Sequence, residues 1–399
     1  MKNEKLITIL YIVYILHSMP MLGTRYPAII YAFITTALFL LLLKEVGFKS
    51  FGKISPILLI PFLDSIMSLG QGNITYILIQ ISSFMQLMIL PLTAIYAYRI
   101  KSTKFARITL YTFLIINFIT CLTTYWGCMA FPNASRELTS GAAEKYGYHH
   151  IYNNLNIGGF EFIYSMVLIA ILHIYTIRNS KLFKNGATWS LLSAIYLIAI
   201  ALAVVAAEYT TAIILLTLSL TLLVFKKKFN FKHLVIVSCI IATCYTMIKP
   251  VIIETLYYTA ENIDNNNISP RLTDLALSLD GKFTQENSDM DMRETHYKDS
   301  FNAFINNPLG TWNFEKIGGH SYILDALGKY GILGFLLILI ILYRIYKLYI
   351  LPLNNKAIYG YSLIIFLYMI FIGTINPKLF TNIIMFTLPL YTLVIQERK

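Results

Sequence analysis

The stretch that decides the fold class is Ala187–Val205, which reads ATWSLLSAIYLIAIALAVV and contains no charged residue. The hydrocarbon core of a bilayer is about 30 Å thick, and an apolar helix of roughly 20 residues crosses it. Similar segments recur along the chain, which is 57% hydrophobic and only 13% charged. Soluble domains are about one-quarter charged. The sequence therefore excludes a soluble fold and predicts an all-α polytopic integral membrane protein.

Apolar runs separated by charged residues predict about twelve transmembrane helices. Their predicted limits are residues 5–22, 27–43, 54–71, 75–97, 108–127, 159–177, 187–205, 210–225, 233–249, 331–350, 358–375 and 380–396. These helices use most of the 399 residues, so we expect residues 1–399 to form a single transmembrane domain.

The Lys and Arg residues predict the orientation, because cytoplasmic loops carry an excess of these residues. When the N-terminus is placed in the cytoplasm, every cytoplasmic connection is basic. Of the 32 Lys and Arg, only Arg25 and Lys378 then fall in short outer loops. Both termini are therefore predicted to be cytoplasmic. The net charge of +12 is spread over these connections rather than gathered on one soluble face, so it does not indicate nucleic-acid binding.

Two outer segments are too long to be simple turns. One is an outer loop at residues 127–158, and the other is a large outer cap at residues 250–330, between helices nine and ten. The cap begins with an amphipathic stretch, Val251–Ala260. Farther on, Arg293–Ile305 has a helical pattern that Asn306-Asn307-Pro308 stops. We therefore expect a structured cap.

Guanidinium and imidazole groups are concentrated in these outer segments. They belong to Arg136, His149, His150, Arg271, Arg293, His296 and His320. Arg pairs with phosphate oxygens through a planar fork and keeps its charge, and a neutral His accepts a proton near pH 7. This composition suits phosphate recognition.

Two motifs stand out in the predicted cap. In the first, Arg293 is followed after three residues by Tyr297, and the predicted helix continues to Asn307-Pro308-Leu309-Gly310. In the second, His320 precedes a short amphipathic helix, and Gly331 and Gly334 lie where this helix enters the next span. Small residues at such positions allow close helix approach.

Together, in this order and in this loop, the motifs resemble those of the O-antigen polymerase and O-antigen ligase superfamily of bacterial envelope polysaccharide assembly. The twelve-span topology and the position of the long loop are also similar. The resemblance implies a metal-independent glycosyltransferase of the bacterial inner membrane whose active site faces the periplasm. Arg293 would bind the diphosphate leaving group, and His320 would act as general base or orient the diphosphate. Tyr297, Pro308, Gly331 and Gly334 would support the motifs.

The resemblance also implies the partners. The substrate would be an undecaprenyl-diphosphate-linked oligosaccharide, used in O-antigen or capsule synthesis, and membrane lipid surrounds the protein. A polysaccharide chain-length regulator is a further candidate partner, and no nucleic acid is expected. No cofactor is expected, because the predicted outer loops carry no acidic metal-binding cluster and a preorganised Arg can stabilise the diphosphate charge.

Two departures from the family pattern bear on the type of transferase. Ser321 follows His320 where the family commonly has Asn. Ligases also tend to carry an Arg after a Thr or Ser at the start of the eighth span, whereas this chain reads Glu208-Tyr209-Thr210-Thr211-Ala212. The missing cation favours a polymerase of the Wzy type, in which Arg136 or Arg271 supplies a second diphosphate contact.

Alternatives remain at the level of the sequence. An O-antigen ligase would transfer the glycan to lipid A core, and a flippase or transporter of lipid-linked oligosaccharides would line its spans with polar groups. Arg293 could instead pair with Glu294 or Asp299 on an exposed helix, a contact worth at most about 1 kcal/mol. His320 could be an ordinary residue at a helix start, and Arg136 an ordinary surface residue.

Overall fold

The structure is a computed structural model that describes residues 3–23, 28–70, 74–140, 142–182, 186–224, 250–263, 268–280, 289–312, 317, 319–353 and 355–396. Every regular element in these ranges is helical. The first part contains α1 (Glu4–His17), α2 (Pro20–Gly23), α3 (Ala28–Val46), α4 (Phe48–Ile54), α5 (Leu59–Gly70), α6 (Ile74–Ile100), α7 (Thr103–Ala130), α8 (Ala134–Ser140), α9 (Ala142–Lys145), α10 (His149–Asn154), α11 (Phe160–Arg178), α12 (Gly186–Ala206) and α13 (Thr210–Val224). The second part contains α14 (250–262), α15 (Ile268–Asp280), α16 (Asp289–Asn306), α17 (Tyr322–Ile345), α18 (Lys356–Ile375) and α19 (Leu388–Gln396).

Eight helices in the described part of the chain are long and apolar enough to cross a membrane. They contain α3, α4 with α5, α6, α7, α11, α12, α17 and α18. Two shorter apolar helices, Thr210–Leu223 and Ile383–Val394, fall on further predicted spans. The prediction of an all-helical polytopic membrane protein is confirmed at this level. The predicted span at residues 233–249 lies outside the described residues, and the count of twelve stays a prediction.

Prolines explain where the helices depart from the predicted limits. The first predicted span is divided, because α1 ends at His17 and α2 begins at Pro20, which has no amide hydrogen to continue a helix. Likewise, Pro56 lies in a 3₁₀ turn at Ser55–Leu58, between α4 and α5. Two π-helical turns, Tyr346–Ile350 and Ile383–Thr387, each end two residues before a proline.

The described residues group into two compact units by their contacts. The first comprises Met1–Val224, Leu336–Ile370 and Phe380–Lys399. Within this unit α11 packs on α12 and α13, and 13 of its 19 residues are buried, so it is the central helix. Around it α3 packs on α6, and α12 on α7.

The helices around α11 keep apolar side chains on their outer surface. Ile29 is 79% exposed and Phe33 is 74% exposed on α3, and Leu191 is 62% exposed on α12. Extensive apolar exposure is unfavourable in water, whereas lipid tails accommodate it. This surface is therefore consistent with a membrane environment.

The second unit comprises Phe225–Phe335 and Phe371–Leu379. The amphipathic stretch that begins the predicted cap is helical in α14, and the Ser269 hydroxyl at the start of α15 donates to the Ala260 carbonyl of α14 at 2.7 Å. α15 packs on α16. The helix predicted before Asn306-Asn307-Pro308 is confirmed, since α16 ends at Asn306.

Candidate functional site

The candidate site in the second unit is centred on two stacked imidazole rings. The ring of His296, on α16, lies over the ring of His320, which precedes α17, with 4.5 Å between centroids and 23° between planes. Both residues are partly buried. The two motifs of the predicted cap therefore meet in space, although 24 residues separate these histidines in the chain.

Arg293 lies one helical turn before His296 on α16. Three residues along an α-helix advance it by about 4.5 Å and return to nearly the same face. The backbone of Arg293 is thus close to the paired histidines. The side chains of Arg293 and of Arg271, which is on α15, lie outside the described residues.

A buried hydrogen bond fixes α16 against the start of α17. The hydroxyl of Ser300 donates to the carboxyl of Asp325 at 2.7 Å, and Ser300 is fully buried. The second carboxyl oxygen of Asp325 accepts from the Ser321 amide at 3.2 Å. Because Ser321 directly follows His320, this network holds the backbone beside the stacked imidazole.

Two further hydrogen bonds reach the segment Phe371–Leu379, which belongs to the same unit. The hydroxyl of Tyr297 donates to the Ile375 carbonyl at 3.0 Å, and the amide of Tyr322 donates to the Asn376 carbonyl at 2.8 Å. The Ser321 hydroxyl accepts from the Leu324 amide at 3.0 Å and so caps the N-terminus of α17. Tyr297, a motif residue, thus anchors α16 one residue after His296.

The turn at Asn307-Pro308-Leu309-Gly310 packs on a break in α17 at Gly331. Gly331 has φ 59° and ψ −144°, a conformation that only glycine adopts easily. A Cβ there would collide with the Pro308 carbonyl, which instead accepts from the Ile332 amide at 2.9 Å. Gly334 lies against the Ala326 carbonyl across the same break, where a Cβ would also collide.

Glycine is required on the facing side of this contact as well. Gly310 has φ 96°, and a Cβ at this position would lie 2.6 Å from the Lys329 carbonyl. The amide of Trp312 donates to that same carbonyl at 3.0 Å. The backbone of the Asn-Pro-Leu-Gly turn therefore packs directly on the backbone of α17 at its glycines. This contact supports the start of α17, which follows His320.

Arg136, the other candidate diphosphate ligand, belongs to the first unit. It lies on α8, where its guanidinium donates to the Glu208 carbonyl and lies 5.6 Å from the centroid of the Tyr209 ring. The expectation of an ordinary surface residue is not met, since the side chain is partly buried and engaged. These contacts give Arg136 a structural role in joining α8 to the connection between α12 and α13.

Tyr209 is the centre of this second cluster. Its hydroxyl donates to the Ser135 carbonyl at 3.0 Å, and its ring contacts those of Phe160 and Tyr164. Burial is the largest influence on its hydroxyl and raises the pKa of Tyr209 above its ordinary value, which keeps the group protonated at neutral pH. The phenol is therefore a hydrogen-bond donor in this cluster.

The remaining predicted groups lie apart from the paired histidines along the chain. His149 and His150 begin α10 in the first unit, where the His149 ring nitrogen is 3.9 Å from the Glu144 carboxylate. Sequence reasoning noted His296 only as one of several histidines, and it did not single out Ser300, Asp325 or Tyr209. The position of His296 three residues after Arg293 was the available signal.

Comparison with known proteins adds no relatives: no protein-family model matches this chain, and no curated protein matches it.

Proposed function

We propose that this protein is a polysaccharide repeat-unit polymerase, a glycosyltransferase that uses an undecaprenyl-diphosphate-linked glycan as donor. The acceptor is a sugar hydroxyl of another lipid-linked repeat unit, and the product is a longer O-antigen or capsule chain. The observation that carries this proposal is the stack of His296 on His320, one helical turn from Arg293. A histidine can remove the acceptor proton and an arginine can stabilise the departing diphosphate, and the backbones of these two residue types lie close together here.

In the proposed reaction the acceptor hydroxyl oxygen attacks the anomeric carbon of the donor sugar. The bond between that carbon and the phosphate oxygen breaks, and its electron pair leaves with undecaprenyl diphosphate. The hydroxyl proton passes to an unprotonated ring nitrogen of His320. Arg293 pairs with the departing diphosphate, whose negative charge increases during the step. Arg271 and Arg136 are candidates for a second diphosphate contact.

The arrangement around His320 supports this role. A general base is effective when its ring is held in position. The ring of His320 stacks on that of His296, and the amide of the next residue, Ser321, donates to the Asp325 carboxyl. The same positioning would not be needed by a histidine that merely begins a helix. Arg provides its positive charge without a metal, so the proposed enzyme is metal-independent.

The proposed location is the inner membrane of a bacterium, with the cap at residues 250–330 on the periplasmic side. Its partners there are the lipid-linked oligosaccharide, the surrounding membrane lipid and a chain-length regulator of the polysaccharide. The positions of Lys and Arg support this orientation, because every connection that it places in the cytoplasm contains these basic residues.

Glycan profiling of a deletion strain tests the proposal. Loss of a polymerase leaves single repeat units attached to the lipid A core, and the ladder of longer chains disappears. The wild-type protein should restore the ladder, and the His320→Ala variant at the same protein level should not. Bare core in the deletion strain would assign the protein as a ligase instead, and an unchanged ladder would refute both.

A further inference from the structure

A cavity of about 870 Å³ lies within the first unit, at the end where α4, α6 and α19 meet the π-helical turn Tyr346–Ile350 and the residues Pro352, Leu353 and Asn355. Ligand sites in proteins commonly have about 300–1,000 Å³. The cavity belongs to neither the paired histidines nor the Arg136 cluster, and the proposed glycan transfer does not use it.

The walls of this cavity are apolar at depth and polar at the rim. Ile54, Ala94 and Leu388 line it and are at most 2% exposed. Lys53 and Tyr98 also line it and are exposed. Lys53 is the one charged residue among its described lining residues. The cavity therefore suits a molecule with a long apolar part and a negatively charged end.

Two hydroxyl groups of the wall, those of Tyr98 and Thr392, are hydrogen-bonded within the protein, whereas the buried hydroxyl of Tyr175 has no hydrogen-bond partner among the described residues. The Tyr98 hydroxyl lies 3.1 Å from the Pro389 carbonyl, to which it donates, and 2.6 Å from the Thr392 hydroxyl. The wall thus offers mainly apolar surface, and the Lys53 ammonium is the feature that selects the charge of a ligand.

One π-helical turn contributes to this wall, and a second one ends directly before a lining residue. Leu348 and Tyr349 of the turn Tyr346–Ile350 line the cavity, and Leu388 directly follows the turn Ile383–Thr387. π-helical turns occur frequently at functional sites, because the extra residue displaces the backbone from regular helix packing. The turn Tyr346–Ile350 is therefore a reason for the space between the surrounding helices.

We propose that this cavity binds an anionic phospholipid, with one acyl chain against Ile54, Ala94 and Leu388 and the headgroup phosphate at Lys53. Charge complementarity favours this occupant. Lys53 is the charged residue of the described lining, and under the proposed orientation this end lies in the cytoplasmic leaflet, where anionic lipids are found. The lipid fills the gap between helices and stabilises the first unit.

Native mass spectrometry of the purified full-length protein tests the proposal, with phosphatidylglycerol and phosphatidylcholine as the probes at equal concentration. The wild type should retain phosphatidylglycerol in preference to phosphatidylcholine, and phosphatidylglycerol should raise its thermal unfolding temperature. Lys53→Ala should lower phosphatidylglycerol retention about fivefold. The matched control is Lys49→Ala, which removes the same charge from the same exposed helix α4 without altering the cavity lining.

A second variant tests the apolar end. Ala94→Phe places a ring in the cavity, so it should abolish the thermal shift produced by phosphatidylglycerol. Equal retention of both lipids by the wild type, or equal loss in Lys53→Ala and Lys49→Ala, would overturn the proposal. Stoichiometric displacement of phosphatidylglycerol by undecaprenyl phosphate would also overturn it, because the cavity would then belong to the carrier lipid.

Discussion

The backbone conformation of a single residue, Gly331, explains why the two motifs of residues 293–334 occur together. Its positive φ breaks α17 and lets the Pro308 carbonyl approach, so the Asn-Pro-Leu-Gly turn and the glycines of α17 depend on each other. Sequence reasoning predicted a close approach of helices at Gly331 and Gly334. The partner surface at Pro308 and Gly310 could not be predicted, because it depends on tertiary packing.

We predict that Gly331→Ala destabilises the protein. The backbone conformation alone should cost about 1–3 kcal/mol for a residue with a Cβ, and the collision with the Pro308 carbonyl adds to this cost. Thermal unfolding of the purified variant in detergent measures the effect. Gly52→Ala is the control, because Gly52 is exposed on α4 and no atom lies near its added Cβ. Equal unfolding temperatures for the two variants would contradict the prediction.

His296 is predicted to be a positioning residue that acts through the ring of His320. Removal of the stack in His296→Ala should lower the rate of glycan transfer about 2- to 10-fold, as expected for an aromatic contact of about 0.5–1.5 kcal/mol. His296→Phe retains a flat ring and should restore most of the rate. If alanine and phenylalanine variants were equally slow, the imidazole of His296 would itself take part in the chemistry and the positioning role would be wrong.

At the scale of elements, α16 is the support on which the candidate site is built. Its Ser300 bonds to Asp325 of α17, and its Tyr297 bonds to the Ile375 carbonyl. The end of α16 could be predicted, since Asn-Pro stops a helix locally, but the helix begins at Asp289 and not at the predicted Arg293. Its docking could not, because residues 297 and 375 are distant in the chain and carry no local signal of their contact.

We predict that Ser300→Ala weakens this docking by about 1–3 kcal/mol, because the buried Asp325 carboxyl loses a hydrogen-bond donor. The variant should unfold at a lower temperature than the wild type. Ser55→Ala is a matched control, since its exposed hydroxyl donates to the nearby Gly52 carbonyl. A variant at position 300 that is as stable as this control would show that the bond does not support the site.

Across the whole molecule, hydropathy predicted the long apolar helices well, because the length of an apolar run can be read directly from the sequence. The division of the first and third predicted spans at Pro20 and Pro56 was missed, because the prolines lie within continuous apolar runs. The contact that Arg136 makes could not be predicted for a different reason. Its binding to the Glu208 carbonyl joins residues 72 positions apart, which a hydropathy pattern does not reveal.

The proposed orientation predicts the activity of alkaline phosphatase fusions, since this reporter folds only on the outer side of the inner membrane. A fusion after Trp312 should be active, and a fusion after Leu182 should be inactive. The reason is the basic character of every connection placed in the cytoplasm. The reverse pattern of activities would place the paired histidines in the cytoplasm, where they could not act on a periplasmic glycan.

The most direct test of the central claim is transfer by the purified protein. Undecaprenyl diphosphate-linked repeat units extracted from cells that lack the protein serve as substrate, with EDTA present. The wild type should release undecaprenyl diphosphate and form products of two or more repeats, and the Gly52→Ala control should match it. His320→Ala and Arg293→Ala should each be slower by about 100-fold or more. Undiminished extension by both variants would contradict the account.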